Sequence, residues 1–335
     1  MSGPRFLDAD SIRAAVPIGA LLDAVEAAYR DVAAGRDRSP LRSHVALDRG
    51  DLLLMPGVRS GGAGASVKLV TVMPRNPAQG LPTIQAIVAW IDAATGTLLS
   101  LMDGATVTAM RTGAASGVAT RLLARPESAT LAVIGAGGQA EWQVRAVLAA
   151  RPIERVLVHA RSSDARSAFA SRLTDELRIA VEPVDSAEAA IRQADVVCCA
   201  TTSSDPVFDA TWLRPGTHVN GIGAFRLGMI ELPPELFARA SVVAVDSLAA
   251  AMAEAGDLVA ALERGLVTEA ELVEIGTISR EWIETRRPDA ITVFKSVGLA
   301  IQDVAAAELI ASRLLDGHRP ADGQVVGEAG QDPAE

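Results

Sequence analysis

The first 125 residues alternate between helical and strand-like spacing of apolar positions. Apolar residues recur every three to four positions in residues 17–34, which predicts an amphipathic helix. The alanine-rich, proline-free stretch 106–124 predicts a long helix that leads into the next part of the chain. Between them, shorter apolar runs separated by turn-forming residues predict strands at 52–55, 65–72, 83–92 and 97–102.

From residue 129 onward, strand and helix patterns alternate. Repeated strand, helix, strand units predict an α/β fold with a doubly wound parallel sheet of the Rossmann type. The predicted strands are 131–134, 156–159, 179–184, 196–201, 217–223, 242–246 and 292–295, and the predicted helices are 139–150, 164–177 and 187–193. The helix after Gly298 is expected to return to the first domain.

The chain length indicates two domains, because 335 residues exceed one ordinary core. We assign residues 1–120 and 300–320 to the first domain and residues 121–299 to the Rossmann domain. The C-terminal stretch is rich in Gly, Asp, Glu and Pro, so we expect residues 321–335 to form a disordered tail.

Composition and charge exclude several classes of function. The net charge is -10 and the basic residues are scattered, so no nucleic-acid partner is expected. The chain has neither a signal-peptide pattern at its start nor an apolar run of about 18 residues, so we expect a cytoplasmic protein with no membrane contact. The adjacent Cys198 and Cys199 fit buried structural thiols, and the four histidines lack metal-ligand spacing, so no metal is predicted.

A glycine turn in the middle of the chain predicts dinucleotide binding. The stretch LAVIGAGGQAEWQ places Gly135, Gly137, Gly138 and Gln139 between an aliphatic strand and a helix. Gly135 permits the tight turn, Gly137 lets the backbone approach the pyrophosphate, and Ala140 allows close packing of helix on strand. The helix N-terminus then offers N–H groups to the phosphates.

The end of the next strand bears on which dinucleotide is preferred. NAD-binding sites usually carry an acidic residue there for the ribose 2′-hydroxyl. This chain instead has Arg161 and Ser162, with Arg166 nearby, a set suited to a 2′-phosphate. We therefore predict NADP(H) as the preferred cofactor, with NAD(H) still possible.

Three cationic residues stand in apolar or turn-rich surroundings: Arg42, Lys68 and Arg111. Lys68 lies inside an aliphatic strand, where burial without an anionic partner would be costly. That partner is either a carboxylate of the protein, in a structural salt bridge, or an anionic ligand. The spacing of the three residues leaves both alternatives open.

Five segments together resemble the ornithine cyclodeaminase and mu-crystallin family over about 310 residues. They are GDLLLMPG from Gly50, VKLVTVMPRNPAQGLPTIQA from Val67, TAMRTGAAS from Thr108, VIGAGGQA from Val133 and VFKSVGLAIQDVAAA from Val293. The resemblance implies a homodimer in which the first domain binds substrate and dimerises. It implies that Arg42, Lys68 and Arg111 bind the carboxylate and polar atoms of a small amino- or imino-acid substrate.

The resemblance also implies a set of cofactor contacts. Thr83 and Thr112 would contact the dinucleotide beside Arg111, and Gly138 and Gln139 would contact its pyrophosphate. The residues implied on the nicotinamide side are Thr201, Val219, Asn220, Ile222, Gly223, Ser296 and Val297.

One departure from the family pattern bears on the reaction. Cyclodeaminases of the family carry a carboxylate where this chain has Phe225, which can neither accept a proton nor orient an ammonium. The sequence therefore resembles the reductase branch, which reduces cyclic ketimines such as 1-pyrroline-2-carboxylate. In this interpretation Arg42 and Arg111 hold the carboxylate, Phe225 shapes the substrate pocket, and Lys68 either joins the arginines or relays the imine proton. Glu231 and Asp246 are expected to be structural.

Three alternatives stay open. The first is an alanine-type amino-acid dehydrogenase, in which ammonia replaces the ring nitrogen. The second is cyclodeamination of ornithine or lysine despite Phe225. The third is an NADP-dependent ligand-binding protein without catalytic activity. The three intact cations and both threonines favour catalysis.

Overall fold

The computed structural model describes residues 3–315, which form two β-sheets connected by one long buried helix. The first part of the chain contains β1 (Arg5–Leu7), α1 (Ala9–Ala15), α2 (Ile18–Ala33), β2 (Asp37–Arg38), β3 (Ser43–Leu47), β4 (Gly50–Arg59), β5 (Gly64–Val72), β6 (Ile84–Asp92), β7 (Leu98–Asp103) and α3 (Gly104–Leu123).

The second part continues the alternation of strand and helix. It contains β8 (Thr130–Ile134), α4 (Ala140–Ala150), β9 (Arg155–His159), α5 (Ser163–Leu177), β10 (Ala180–Pro183), α6 (Ala187–Ile191), β11 (Val196–Cys199), β12 (His218–Gly221), α7 (Glu235–Arg239), β13 (Val242–Val245), α8 (Leu248–Glu254), α9 (Gly256–Glu263), β14 (Leu272–Glu274), α10 (Trp282–Thr285), β15 (Thr292–Lys295) and α11 (Ala300–Leu314). Short 3₁₀ helices lie at Asn76–Gln79, Ala210–Trp212, Glu269–Glu271 and Ile275–Thr277.

The first sheet is mostly antiparallel, with strand order β1-β7-β6-β5-β4-β2 and β3 paired on β4. Side chains alternate across its strands, so Lys68 of β5 points to the buried face while its neighbours Val67 and Leu69 point to the other. The buried face carries α11, which also packs against α2 and α3. The helix after Gly298 thus returns to the first sheet, as its sequence pattern predicted.

The second sheet is parallel throughout, with strand order β10-β9-β8-β11-β12-β15-β13-β14. This is a Rossmann topology, and the strand order reverses between β8 and β11. Open α/β sheets bind ligands at such a switch point, outside the carboxyl ends of the strands. The predicted α/β fold class is therefore confirmed, whereas the roles assigned to the two domains stay predictions.

Helix α3 joins the two sheets and is buried on nearly every side. It can approach α4 closely because Gly113 lies against the backbone of Trp142, where a β-carbon would overlap the carbonyl. Thr112, which precedes Gly113, and Thr108, on the turn of α3 before it, are also buried. This crossing brings the middle of α3 beside the first turns of the helix that follows the glycine turn.

The predicted and observed elements differ most in the first part of the chain. Strand β4 extends well beyond the predicted 52–55, since residues 51–58 pair with β5. On its other edge Pro56 lies between the stretch paired with β3 and the stretch paired with β2. The short elements β1, α1 and β14 gave too little periodic signal to be predicted. The predicted disordered tail lies outside the described residues.

Within residues 3–315, no helix has both the length and the apolar character to cross a bilayer. The same residues contain no group of three or more His, Cys, Asp or Glu side chains placed to hold a metal ion. Cys198 and Cys199 are both fully buried in β11 as free thiols, and burial raises the pKa of Cys198 to about 12.

Candidate active site

The glycine turn follows β8 at the switch point of the parallel sheet. Gly135 has a φ of 109°, and a β-carbon there would lie 2.6 Å from the carbonyl oxygen of Ala200, just past β11. A non-glycine residue would therefore be strained and would also collide with the neighbouring loop. Gly135 is needed by the protein's own backbone.

Gly137 and Gly138 differ from Gly135 in this respect. A β-carbon at either position would meet no heavy atom within 4 Å among the described residues. Nothing in the described protein requires glycine there, so open space is left over the turn. This fits a ligand that approaches the backbone closely, as a pyrophosphate does.

The start of α4 also fits an anionic ligand. Within the described part of the chain no side chain caps the N-terminus of α4, and the Oε1 atom of Gln139 is buried without a hydrogen-bond partner. Uncapped N–H groups and the helix dipole favour an anion at this end. The residues present therefore fit the pyrophosphate of a dinucleotide.

The residues predicted to select the cofactor lie after β9. Arg161 is exposed, and among residues 3–315 no carboxylate lies within ion-pair distance of it. Ser162 caps α5, its hydroxyl accepting from the N–H of Ala165 at 3.2 Å. Arg166 is already engaged, since it donates to Asp185 at 2.5 Å and to the carbonyl of Ala160 at 3.2 Å.

One buried carboxylate holds two loops that carry residues predicted to lie on the nicotinamide side. Glu231 accepts from the N–H of Thr201 at 2.5 Å and from the N–H of Gly223 at 2.8 Å. These two residues follow β11 and β12, so the carboxylate ties adjacent strand ends together. Burial raises the pKa of Glu231, and Lys295 nearby opposes that shift. Glu231 is thus committed to loop structure, as expected from the sequence.

Three further predicted residues lie in β12 or directly after it. Val219 packs in the apolar core of the Rossmann sheet, and Ile222 is buried just past the end of the strand. Asn220 points into a buried polar network, where its amide donates to Thr120 at 3.1 Å and contacts His218 at 3.2 Å. Burial lowers the pKa of His218 to about 3, so this histidine is neutral.

The turn after β15 links the Rossmann sheet to the predicted cations. Asp246 accepts from the hydroxyl of Ser296 at 2.8 Å and from the N–H groups of Val297 and Gly298 at 3.0 and 2.8 Å. Gly298 has a φ of 84°, and a β-carbon there would lie 2.6 Å from the Nη1 atom of Arg111. The turn therefore supports the guanidinium directly.

Lys68 and Arg111 share one carboxylate. The Nζ atom of Lys68 lies 2.7 Å from Oδ2 of Asp303, and Nε of Arg111 donates to Oδ1 of the same residue at 3.0 Å. Arg111 also donates through Nη1 to Gln302 at 2.6 Å. Asp303 is fully buried and Lys68 is 1% exposed. A structural salt bridge, one of the two alternatives left open by the sequence, is therefore present at Lys68.

Arg42 reaches the same place from the segment before β3. Its Nη2 atom donates to the carbonyls of Val297 and Gly298, each at 2.7 Å, and lies 2.7 Å from Glu254 of α8. Arg42 and Arg111 thus meet at the turn 296–298, and Lys68 shares Asp303 with Arg111. Among the described residues, three carboxylates lie close to these cations: Asp303, Glu254 and Asp246, which accepts from the backbone of the same turn.

The electrostatic surroundings make Lys68 a candidate proton donor. Burial, with the charges of Arg111 and Arg42, lowers the pKa of Lys68 to about 7, while Asp303 opposes the shift. An amine that titrates near neutral pH can both hold and release a proton during turnover. A fully exposed lysine would titrate near 10.5 and be a poor donor.

Phe225 lies between the two sheets, where it packs on the cluster that includes Leu53, Met55 and Ala300. The next residue, Arg226, lies 3.1 Å from Asp51 of β4, which also lies 2.6 Å from His44. An ion pair thus anchors the Phe225 loop to the first sheet. Phe225 thus places an apolar ring between the two sheets, at the position where the cyclodeaminase pattern has a carboxylate.

The two predicted threonines lie on different elements. Thr112 is buried on α3, next to Arg111 and beside the first turns of α4. Thr83 is half-buried just before β6, with its carbonyl accepting from the N–H of Met73 at 2.7 Å. The cofactor contacts assigned to both residues stay predictions.

Sequence reasoning missed the acidic half of this site: Asp303, Glu254 and the orienting Gln302. A signal for Asp303 was available. It is an acidic residue in an otherwise apolar helical segment, IQDVAAA, and the buried cations already required an anionic partner. Glu254 offered no such signal, because α8 follows a loop whose path the sequence pattern does not define.

Comparison with known proteins places this geometry in a family. The profile of the ornithine cyclodeaminase/mu-crystallin family matches residues 4–318. Delta(1)-pyrroline-2-carboxylate reductase of Bacillus cereus is 36% identical over 314 residues, covering 92% of this chain and 96% of that protein.

Two solved structures are similar over nearly the whole chain. Thermococcus litoralis Delta(1)-pyrroline-2-carboxylate reductase, in complex with NADH and L-proline, superimposes with a TM-score of 0.87 at 33% identity and covers 92% of this chain and 97% of that one. An archaeal alanine dehydrogenase dimer with bound NAD superimposes with a TM-score of 0.84 at 33% identity, over 95% and 98% of the two chains. The resemblance inferred from the five motifs is confirmed, and this chain belongs to the ornithine cyclodeaminase/mu-crystallin family.

Proposed function

We propose that this protein is a nicotinamide-dependent reductase of cyclic imino acids, of the 1-pyrroline-2-carboxylate or ketimine type. One observation carries the proposal: Lys68 and Arg111 share Asp303, and Arg42 and Arg111 meet at the turn that follows β15 of the Rossmann sheet. Phe225 packs on the apolar cluster that includes Met55, the cross-strand neighbour of Lys68, and we infer that its ring borders the substrate space. Cations suit the substrate carboxylate, and an aromatic ring suits an apolar ring substrate. The relatives named as pyrroline-2-carboxylate reductases support the same activity.

The chain's own residues would supply binding, orientation and a proton. Arg42 and Arg111 would hold the substrate carboxylate, because guanidinium groups match carboxylates in geometry as well as charge. A bound nicotinamide would supply a hydride to the imine carbon. Lys68 would deliver a proton to the imine nitrogen, and the buried surroundings of its ammonium would exclude bulk water. A protonated imine carbon is already electrophilic, so the other main requirement is to align this carbon with the nicotinamide.

The deciding experiment is dinucleotide oxidation followed at 340 nm with 1-pyrroline-2-carboxylate and with its six-membered homologue. Pyruvate with ammonia, and ornithine or lysine with NAD, are run in parallel. We expect turnover with at least one cyclic imine. Turnover only with pyruvate and ammonia would contradict the proposal and favour an alanine-type dehydrogenase, the activity named for one structural relative.

Two further outcomes would also contradict it. Ammonia release from ornithine or lysine without net change in the cofactor would indicate a cyclodeaminase. Tight dinucleotide binding without turnover on any substrate would indicate a ligand-binding protein.

We further propose that NADP(H) is preferred, although the structural relatives are described with NADH or NAD. Arg161 supports this, because it is exposed after β9 and no described carboxylate neutralises it.

We predict that Arg161→Ala raises KM for NADPH about 10-fold and leaves KM for NADH unchanged. The expected change corresponds to the loss of one charge-assisted contact with the 2′-phosphate. Steady-state kinetics with both cofactors measures this. Equal KM values for NADPH and NADH in the unmodified protein would contradict the preference.

A homodimer built on the first sheet is the proposed assembly. The outer face of this sheet is apolar and is defined by Val45, Leu52, Leu54, Val67, Leu69, Ile87 and Ala89. In the single chain Val45 is 47% and Leu69 is 41% exposed. A contiguous apolar face of this kind marks an interaction surface, and the alanine dehydrogenase relative is a dimer.

We predict that Leu69→Glu, at the centre of this outer face, converts the dimer to a monomer, because a charge would be buried on both sides of the two-fold interface. Light scattering coupled to size exclusion measures the mass. Met252→Glu is the control, since Met252 is also exposed but lies on α8. A Leu69→Glu protein that stays dimeric would place the interface elsewhere.

A further inference from the structure

Neither the motifs nor the proposed function assigns a role to Asp303. It lies in the first turn of α11, where the helix dipole favours a carboxylate. Its two oxygens face different cations, Lys68 from β5 and Arg111 from α3. Because it is fully buried, no solvent competes for either oxygen. One side chain therefore fixes two predicted substrate-binding groups relative to each other.

The charged groups around Lys68 come from a small number of elements. They are Arg111 on α3, Asp303 on α11, and Arg42 before β3, with Glu254 of α8 behind Arg42. The cross-strand neighbours of Lys68 on β4 and β6 are the apolar Met55 and Val88. Burial and the two like charges of Arg111 and Arg42 oppose the ammonium form of Lys68. Among the described residues, Asp303 is the only carboxylate that directly contacts and stabilises this form.

We propose that Asp303 is a positioning residue that keeps Lys68 in its ammonium form and directs it toward the substrate nitrogen. This inference rests on the proposed reductase function. In the step concerned, an N–H bond forms on the substrate nitrogen as the Nζ–H bond of Lys68 breaks. The dinucleotide supplies the electron pair as hydride to the adjacent carbon, and Lys68 regains its proton from water. Asp303 stays ionised throughout.

The sequence offers an unusually clean probe of this role. Lys68 and Lys295 are the only lysines among 335 residues. Protein labelled with ¹³C at the lysine ε-carbon should therefore give two lysine signals, and Lys68→Met assigns them. Lys295 is an internal reference, because its Nζ donates to the carbonyl of Ala224 at 2.6 Å and lies 3.4 Å from Asp257. Titration of these signals measures protonation without requiring turnover.

Asp303→Asn keeps the size of the side chain and removes its charge. Loss of a contacting negative charge should lower the pKa of Lys68 by about 1 to 3 units, and the Lys295 signal should not move. The pH above which kcat/KM falls should shift downward by the same amount. Asp303→Glu, which restores the charge, should return both readings toward those of the unmodified protein.

The matched control is Glu308→Gln, on the same helix. Glu308 pairs with Arg59 at 3.3 Å and accepts from the N–H of Ala63, away from Lys68. A purely structural effect of losing an ion pair from α11 would appear in this control as well. We expect Glu308→Gln to leave both the Lys68 titration and the pH profile unchanged.

The outcomes separate this inference from the proposed function. An unchanged Lys68 titration and pH profile in Asp303→Asn would overturn the role of Asp303. A protein that reduces no imine would contradict the function, while the lysine titration would still decide whether Asp303 holds the ammonium. If Asp303→Asn does not fold, the same titration of the unmodified protein tests the inference. A ¹³C signal showing that the Lys68 amine is already deprotonated at about pH 5.5, at least one unit below its expected transition, would refute it.

Discussion

Lys68→Met is expected to lower kcat for imine reduction by about 10²- to 10⁴-fold, the usual contribution of a positioned general acid. Methionine fills a similar volume within β5, and Asp303 keeps its partner Arg111, so no carboxylate is left unpaired. The fold should therefore survive. Stopped-flow reduction at saturating dinucleotide and imine measures the chemical step directly.

The division of the effect between kcat and KM identifies what Lys68 does. If Lys68 only binds the substrate carboxylate, the substitution should raise KM and leave kcat unchanged. If it donates the proton, kcat should fall. Full turnover by Lys68→Met would show that water supplies the proton and that the arginines suffice for binding.

The pH profile gives an independent reading of the same role. Only the ammonium form can donate, and the pKa of Lys68 is lowered to about 7 by burial and the neighbouring arginines. In the unmodified protein kcat/KM should therefore fall as pH rises through about 7, and Lys68→Met should lack this limb. Substrate carboxylate adds a negative charge beside the ammonium, so the corresponding limb in kcat should lie at higher pH.

Arg59→Met is the matched control for losing a cation from the first sheet. Arg59, the last residue of β4, lies 2.7 Å from Asp31 and 3.3 Å from Glu308. Its loss should affect stability modestly and leave kcat and its pH dependence unchanged. An equal loss of kcat in both variants would point to a general structural effect.

The sequence predicted those parts of the site whose chemistry is local. The glycine turn is contiguous, so its strand, turn and helix could be identified together. The cations were identified because each stands out in its own apolar segment. Their partners could not be assigned in the same way, since Asp303 lies 192 residues from Arg111 and meets it only through the packing of α11 on α3.

Sheet register explains most of what was missed in the fold. Alternation along β5 predicts that Lys68 and Val67 face opposite sides, but not which side is buried. That choice depends on α11, which returns from the far end of the chain. Likewise Pro56 breaks a strand pattern in sequence, and only the observed pairing shows that β4 continues through it, opposite Val67 of β5 and between the partners on its other edge.

The glycines of the turn after β8 allow the cofactor role to be separated from the fold. Gly135→Ala should destabilise the protein, because its φ is positive and its β-carbon would strike the loop after β11. Gly137 has neither constraint among the described residues. Loss of dinucleotide binding by a well-folded Gly137 variant would therefore report on the ligand alone.

Gly137→Val is expected to raise the Kd for the dinucleotide about 100-fold, equivalent to about 2.7 kcal/mol. The added side chain would fill the space through which a pyrophosphate reaches the backbone, while the protein itself has room for it. Fluorescence titration with NADH and NADPH measures Kd, and thermal unfolding should give a Tm close to that of the unmodified protein. Gly19→Val, in similarly open surroundings at the start of α2, is the control. Unchanged affinity in Gly137→Val would mean that the dinucleotide does not lie over this turn, and the proposed reductase would lose its hydride source.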